Sequence, residues 1–374
     1  MRLPSRTAIL LAVAVLSVGC SRGSDDGGSE PQGPDREAVI TEIADDVIVP
    51  GYDVLATTTT ELAGAIDQLC TNAQPDSLES ARQAWNEAIS AWMFTMAFEF
   101  GPVRSLRSAA KISYPLDVDK VAELADPASV EPLDPAAVEA LGADARGLNA
   151  VQELLFKPAG TDALSARQCS YALAASDLVA AGAMELSDAW TQGVDGEAPA
   201  RQQFTNPGGD AMWSSPTEVL EDLLNSMLST LSEVDRVLAA ATGADGELTD
   251  PTELDAAPAH RVLEDLVDQL EGVAAVYGDS TADPPTGMSQ LVAASASEDS
   301  ETDQAIRDGL DDAISSIESV PSTLFEFDPA ADPDAQGALE RATDDVMTVR
   351  SALATEVASL LGLTVGFSDS DGDA

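Results

Sequence analysis

The chain has 374 residues, with 18 basic against 66 acidic side chains and a formal net charge of −48. That balance excludes a reader of nucleic-acid backbones, which needs clustered Lys and Arg, and it sets the folded surface against anionic lipid head groups. A single histidine, His260, excludes the HExxH zinc-protease pattern, which needs two on one helix turn.

The N-terminus reads as an export signal. Arg2 and Arg6 precede an apolar run at 8–18 broken only by Ser17. The run is shorter than the roughly 20 residues a bilayer span needs and suits a signal peptide over residues 1–19. It ends Leu16-Ser17-Val18-Gly19-Cys20, which resembles a bacterial lipobox with Leu one step early and Ser17 in its place. Cys20 is therefore the expected lipidation site; the alternative is an ordinary signal peptide with an incidental cysteine. Residues 20–38 are mostly Gly, Ser, Asp, Glu and Pro, so they are expected to form a flexible tether. One acyl chain holds a protein only marginally; several would hold it stably. Ser21, with no Asp after the cysteine, points to the outer membrane by the enteric sorting rule. Loss of Arg2 and Arg6 takes the net charge from −48 to −50. Such acidity fits a saline habitat, where salt screens self-repulsion, or a general cation-attracting surface.

After the tether the pattern is helical. Residues 39–70 carry apolar positions at mixed three and four spacing, with a kink or break expected at Pro50-Gly51. Ser77 is the expected N-cap of a helix running to about 98, ended by Gly101-Pro102. Trp85, Trp92 and Glu99 lie seven apart on one face of it; the tryptophans could stack a ligand, but such a pair more often belongs to a core. Residues 103–133 read as irregular. Asp134-Pro135 reads as an N-cap with Pro at the first helical position. Helices are expected at 148–156, 163–190, 216–241, 259–277, 302–320 and 333–361, with a polar loop at 191–210. The middle of the molecule falls at 242–252. No convincing strand alternation appears, so the fold class is all-α, with helical bundles as the default.

With Cys20 lipidated, Cys70 and Cys169 remain, an even number in a compartment that permits disulfides. A Cys70–Cys169 bridge is expected; the alternative is two buried free thiols. His260 stands alone beside Pro258, and a capping or surface role is expected. The tail Asp369-Ser370-Asp371-Gly372-Asp373 starts like a calcium loop but lacks the distal Glu.

Several stretches together resemble the imelysin family (M75 peptidase-like proteins). They are Val47-Ile48-Val49-Pro50-Gly51-Tyr52, the Trp85 to Pro102 stretch, Ile112-Ser113-Tyr114-Pro115-Leu116, Gly147 to Phe156, Arg167-Gln168-Cys169-Ser170-Tyr171-Ala172, and Leu361 to Phe367 followed by Asp371-Gly372-Asp373. They cover residues 39–373 in the family's order. The resemblance implies two helical bundles related as an internal repeat, here 39–242 and 243–374, with a groove between them near a GxHxxE segment. It implies a bacterial envelope location and a link to iron uptake or iron-regulated expression; some members are classed as metallopeptidases.

The GxHxxE segment reads Gly147-Leu148-Asn149-Ala150-Val151-Gln152. Two neutral amides stand where an imidazole and a carboxylate would be, and amides are poor ligands for iron or zinc. Glu153 is rotated about 100° from Gln152 around the helix and is not expected to replace it. The usual metal motif is thus expected to be disabled. The amides are left to hold either a ligand or the contact between bundles. Gly147, Asn149, Gln152, Glu153, Trp92 and Glu99 are the candidate groove residues. The resulting expectation is a membrane-anchored, non-enzymatic binding lipoprotein linked to iron or other nutrient uptake, with uptake-system proteins as partners and iron as the implied cofactor. A metallopeptidase or a structural lipoprotein are the alternatives.

Overall fold

A computed structural model describes residues 35–72, 74–126, 128–129, 131–156, 164–242, 259–297, 300–321 and 332–366. The signal segment 1–19, Cys20, most of the tether, the 242–252 midpoint beyond residue 242 and the tail at 369–373 lie outside these residues.

Every regular element among them is helical. Helix α1 (Arg36–Ile43) passes through a π turn (Ala44–Ile48) into α2 (Val49–Thr71). Asp35 caps α1 by accepting from the Glu37 N–H. Pro50 has no N–H to give the ladder, and the wide turn before it absorbs the defect, with the Val49 N–H reaching back to Ala44 O. The break expected at Pro50-Gly51 is therefore a π turn inside a continuing helix.

Helix α3 (Pro75–Thr95) ends in a 3-10 turn (Met96–Phe98). Its N-cap is Gln74 with Pro75 next, whereas Ser77, expected as the cap, donates its hydroxyl to Asn72 O at 2.9 Å. Proline in the first turn costs no hydrogen bond, which lets the helix begin ahead of Ser77. The stretch expected to be irregular holds three short helices, α4 (Pro102–Ser105), α5 (Ser108–Ile112) and α6 (Val118–Leu124). Helix α7 (Pro135–Glu139) starts at the expected Asp134 cap. Helices α8 (Leu148–Phe156) and α9 (Ala166–Thr191) follow, the second opened by a Ser165/Gln168 capping box. The 191–210 loop contains α10 (Ala200–Thr205).

Next come α11 (Pro216–Thr242) and α12 (Val262–Tyr277), and then α13 (Gly287–Ser295), which the sequence pattern does not announce. Last are α14 (Thr302–Glu318), α15 (Pro333–Ala352), a second π turn (Leu353–Val357) and α16 (Ala358–Leu361). Gly362 closes the chain of helices in the left-handed region, with the Leu363 N–H on Ala358 O at 2.8 Å.

Helix α2 packs between α3 and α9, and α15 packs on α14 and α11. Helix α12 joins these groups, touching α3, α11 and α14. The Cys70–Cys169 disulfide, with Cα atoms 5.6 Å apart, ties the end of α2 to the start of α9. An aromatic cluster of Tyr52, Phe98, Phe100, Trp190, Phe204 and Trp213 fills the space under the 3-10 turn, with neighbouring ring centroids 5.1–6.3 Å apart. Removing one such ring to Ala costs about 3–5 kcal/mol. Arg36 donates to Leu361 O at 2.5 Å, so both ends of the described chain meet.

Candidate functional site

Helices α3, α5, α8, α11 and α12 and the 113–115 loop form a cleft of about 380 Å³. Helix α3 and its 3-10 turn contribute Trp92, Met93, Met96 and Glu99. Helix α12 contributes Val262, Asp265, Leu266 and Gln269, a spacing of three, four and seven that puts them on one face. Helix α11 adds Glu233, Arg236 and Val237, and Ser113-Tyr114-Pro115 with Asn149 covers the end.

Two glycines let these parts approach. Gly147 has φ +87°, and a Cβ there would lie 2.8 Å from Ile112 O, so the start of α8 sits directly on the backbone before the 113–115 loop. A Cβ on Gly272 would lie 2.2 Å from Phe94 O, so α12 and α3 meet almost backbone to backbone behind the cleft. Trp85 is fully buried and donates its indole N–H to Leu148 O at 2.9 Å, and Arg82 donates to Leu155 O at 3.0 Å. Helix α3 thereby holds α8 near both of its ends.

Of the six candidate groove residues, the fold brings Trp92, Glu99 and Asn149 together on the cleft. Gly147 supports the loop from behind, Gln152 is 2% exposed and inside, and Glu153 is half-buried off the lining. Asn149 donates its amide to Tyr114 O at 3.0 Å, and its carbonyl accepts from the Ser113 hydroxyl at 3.3 Å. Both ends of that amide are occupied in shaping the loop. A transition metal therefore finds no usable donor at 149, and Gln152 would offer only a neutral amide. Among the described residues no group of three or more His, Cys, Asp or Glu is placed to hold a metal ion. The residues at the motif do not fit the iron or zinc that the resemblance implies for it. His260 is exposed with φ +58°, at the turn before α12.

The cleft's electrostatics come from buried carboxyls. Glu99 is anchored by its own N–H on the Ser226 hydroxyl at 2.8 Å, and that hydroxyl donates to Met96 O at 3.2 Å. Burial pushes its carboxyl above the usual range, with Arg104 pulling the other way. Asp265 is 6% exposed and accepts from Arg261 Nε at 3.1 Å. Burial pushes its carboxyl up to about 7, against the pull of Arg261. Arg261 also reaches Asp268 at 2.7 Å and the Ser90 hydroxyl at 2.8 Å, a network that ties α12 to α3. Gln269 is 5% exposed; its amide nitrogen lies 3.5 Å from Met93 Sδ, and its carbonyl oxygen is buried without a partner. Arg236 is paired with Glu233 at 2.9 Å.

Asp265, Gln269, Arg236 and the two methionines escape the sequence reading. The available signal was a pair of polar residues four apart, Asp265 and Gln269, among the apolar positions Val262, Leu266, Leu270 and Val273.

The imelysin family model (peptidase M75) matches residues 48–353. The chain belongs to the imelysin family. Iron-regulated protein A of Synechococcus elongatus is 28% identical over 239 residues, which span 64% of this chain and 63% of that protein. An imelysin-like protein from Psychrobacter arcticum has a solved structure that superposes with a TM-score of 0.69 at 20% identity, covering 89% of this chain and 97% of its own. A protein described as an iron-regulated protein A precursor, from Parabacteroides distasonis, gives 0.67 at 19% identity, covering 88% and 98%. At these identities the two structures speak for the imelysin fold alone, and the all-α architecture is theirs as well.

Proposed function

We propose that this imelysin is a non-enzymatic binding protein of the bacterial envelope, held by lipid on Cys20, whose ligand occupies the Trp92–Asp265 cleft. The observation that supports binding over hydrolysis is Asn149. The position where the family motif has a histidine carries an amide whose two ends are spent on Tyr114 and Ser113. The cleft around it is small, half apolar and lined by buried acceptors, the usual composition of a small-molecule site.

The link to iron comes from kinship. A relative is named as iron-regulated, which concerns when a protein is made and leaves its cargo open. In this reading the protein serves nutrient uptake under iron control, beside uptake-system proteins. Export is supported by the signal-like residues 1–19 and by the word precursor in the name of the Parabacteroides relative. Attachment is by the lipid on Cys20 and the tether at 20–38, at the outer membrane; no helix among the described residues is long and apolar enough to cross a membrane.

Native mass spectrometry of the protein extracted from envelopes in detergent tests both halves. The expected spectrum has an acyl mass that Cys20→Ala abolishes and a small-ligand adduct that Glu99→Ala abolishes. A mature chain without acyl mass contradicts the anchor. An adduct indifferent to Glu99→Ala contradicts the cleft.

A further inference from the structure

We propose that the cleft is built for a small organic cation, a protonated amine or amidine carried on a flat apolar body. This rests on the binding reading above and names its ligand class.

From α12 the cleft is offered two acceptors, beside a Gln269 amide nitrogen that lies against Met93 Sδ. Gln269 Oε1 is buried and unpartnered, and Asp265 stands four residues away on the same face with one oxygen taken by Arg261. Glu99 faces them from α3. Two nearby donors are engaged, the Asn149 amide on Tyr114 O and Arg236 on Glu233. A buried acceptor left unmade is costly, so a ligand N–H has more to gain here than a ligand oxygen. An anion would add like-charge repulsion in a partly desolvated site.

The walls choose between kinds of cation. A bare divalent ion asks for several converging oxygens, and no such group of three is placed among the described residues. Trp92, Met93 and Met96 instead give an aromatic face and two polarisable sulfurs, which suit an organic cation and its apolar body. A volume of about 380 Å³ admits a molecule of amino-acid-derivative size. The net charge of −48 concentrates cations at the surface. Anionic iron chelates such as ferric citrate, and haem with its propionates, have the wrong sign.

Calorimetry on the detergent-solubilised lipoprotein decides it. The probes are tryptamine and agmatine, against indole-3-propionate, ferric citrate, haem and zinc. Tryptamine, agmatine or both should bind, and Gln269→Met and Asp265→Asn should each weaken that binding by about tenfold. Gln269→Met preserves side-chain volume, and an unchanged melting temperature will show that it folds. If the anions or zinc bind instead, and Gln269→Met weakens them, the cleft binds but the ligand class is wrong. If the amines bind equally well to both variants, the cleft is not their site and the proposal falls. If no probe binds up to about 1 mM, the ligand class and the binding reading fall together.

Discussion

Asn149 and Asp265 show how single residues set what the cleft can do. Asn149 stands where the GxHxxE pattern has its histidine and uses both ends of its amide on the 113–115 loop. Asp265 is the counterpart on α12, a carboxyl that burial pushes up to about 7, opposed by Arg261 and assisted by Asp268 and Glu264. The folded state therefore favours its neutral acid, relative to an ordinary Asp at 3.8. Its contribution to stability is fully present below about pH 4 and is lost as pH rises through about 7. Glu99, also raised by burial, acts with the same sign. Asp265→Asn stays neutral throughout, so the gap in urea midpoint between wild type and variant should change in the variant's favour from about pH 5 to about pH 8. Parallel pH profiles would mean that Asp265 is an ordinary carboxylate. The amides at 149 and 152 were legible in the sequence because Gly147 and the Leu154-Leu155-Phe156 end keep the segment recognisable. Asp265 and Gln269 were not, because a strongly acidic chain offers polar residues at helical spacing everywhere, and only packing shows which are buried.

At the scale of elements, most long helices follow from apolar spacing and end signals. Asp134-Pro135 and the 148–156 helix sit where their residues place them. The departures have local causes. Pro50 yields a π turn because it has no N–H to give the ladder, and α13 is missed because Pro284-Pro285 and Gly287 read as a loop where it begins. The contact between α2 and α9 was expected from cysteine arithmetic alone, and the bridge is present across 99 residues of sequence. In the chain-entropy picture a loop of about that length is worth up to about 4.7 kcal/mol. Cys70→Ser and Cys169→Ser should lower the melting temperature by equal amounts in non-reducing buffer, and a reductant should bring wild type down to them. Clearly unequal losses would mean that one sulfur stabilises the fold by packing and not through the bond. The close approach of α12 to α3 at Gly272 was not legible, since a helical glycine announces nothing until a neighbour's backbone is seen against it.

For the whole molecule, the all-α fold and the imelysin kinship were both within reach of the sequence, because motif order survives where individual motifs are weak. The location of the cleft was half legible: Trp92, Glu99 and Asn149 were named in advance, and the walls from α11 and α12 required the folded chain. The high negative charge, the expected lipid on Cys20 and a cleft of buried acceptors fit one account, in which the protein works at a membrane surface by holding a small ligand and not by cutting a chain. Cleavage is the measurement that tests this most directly. The protein is incubated with zinc or ferrous iron and an unfolded protein substrate, with and without chelator. The account predicts the same fragment pattern in both. Cleavage that disappears in chelator, and is also lost in Glu99→Gln, would contradict it.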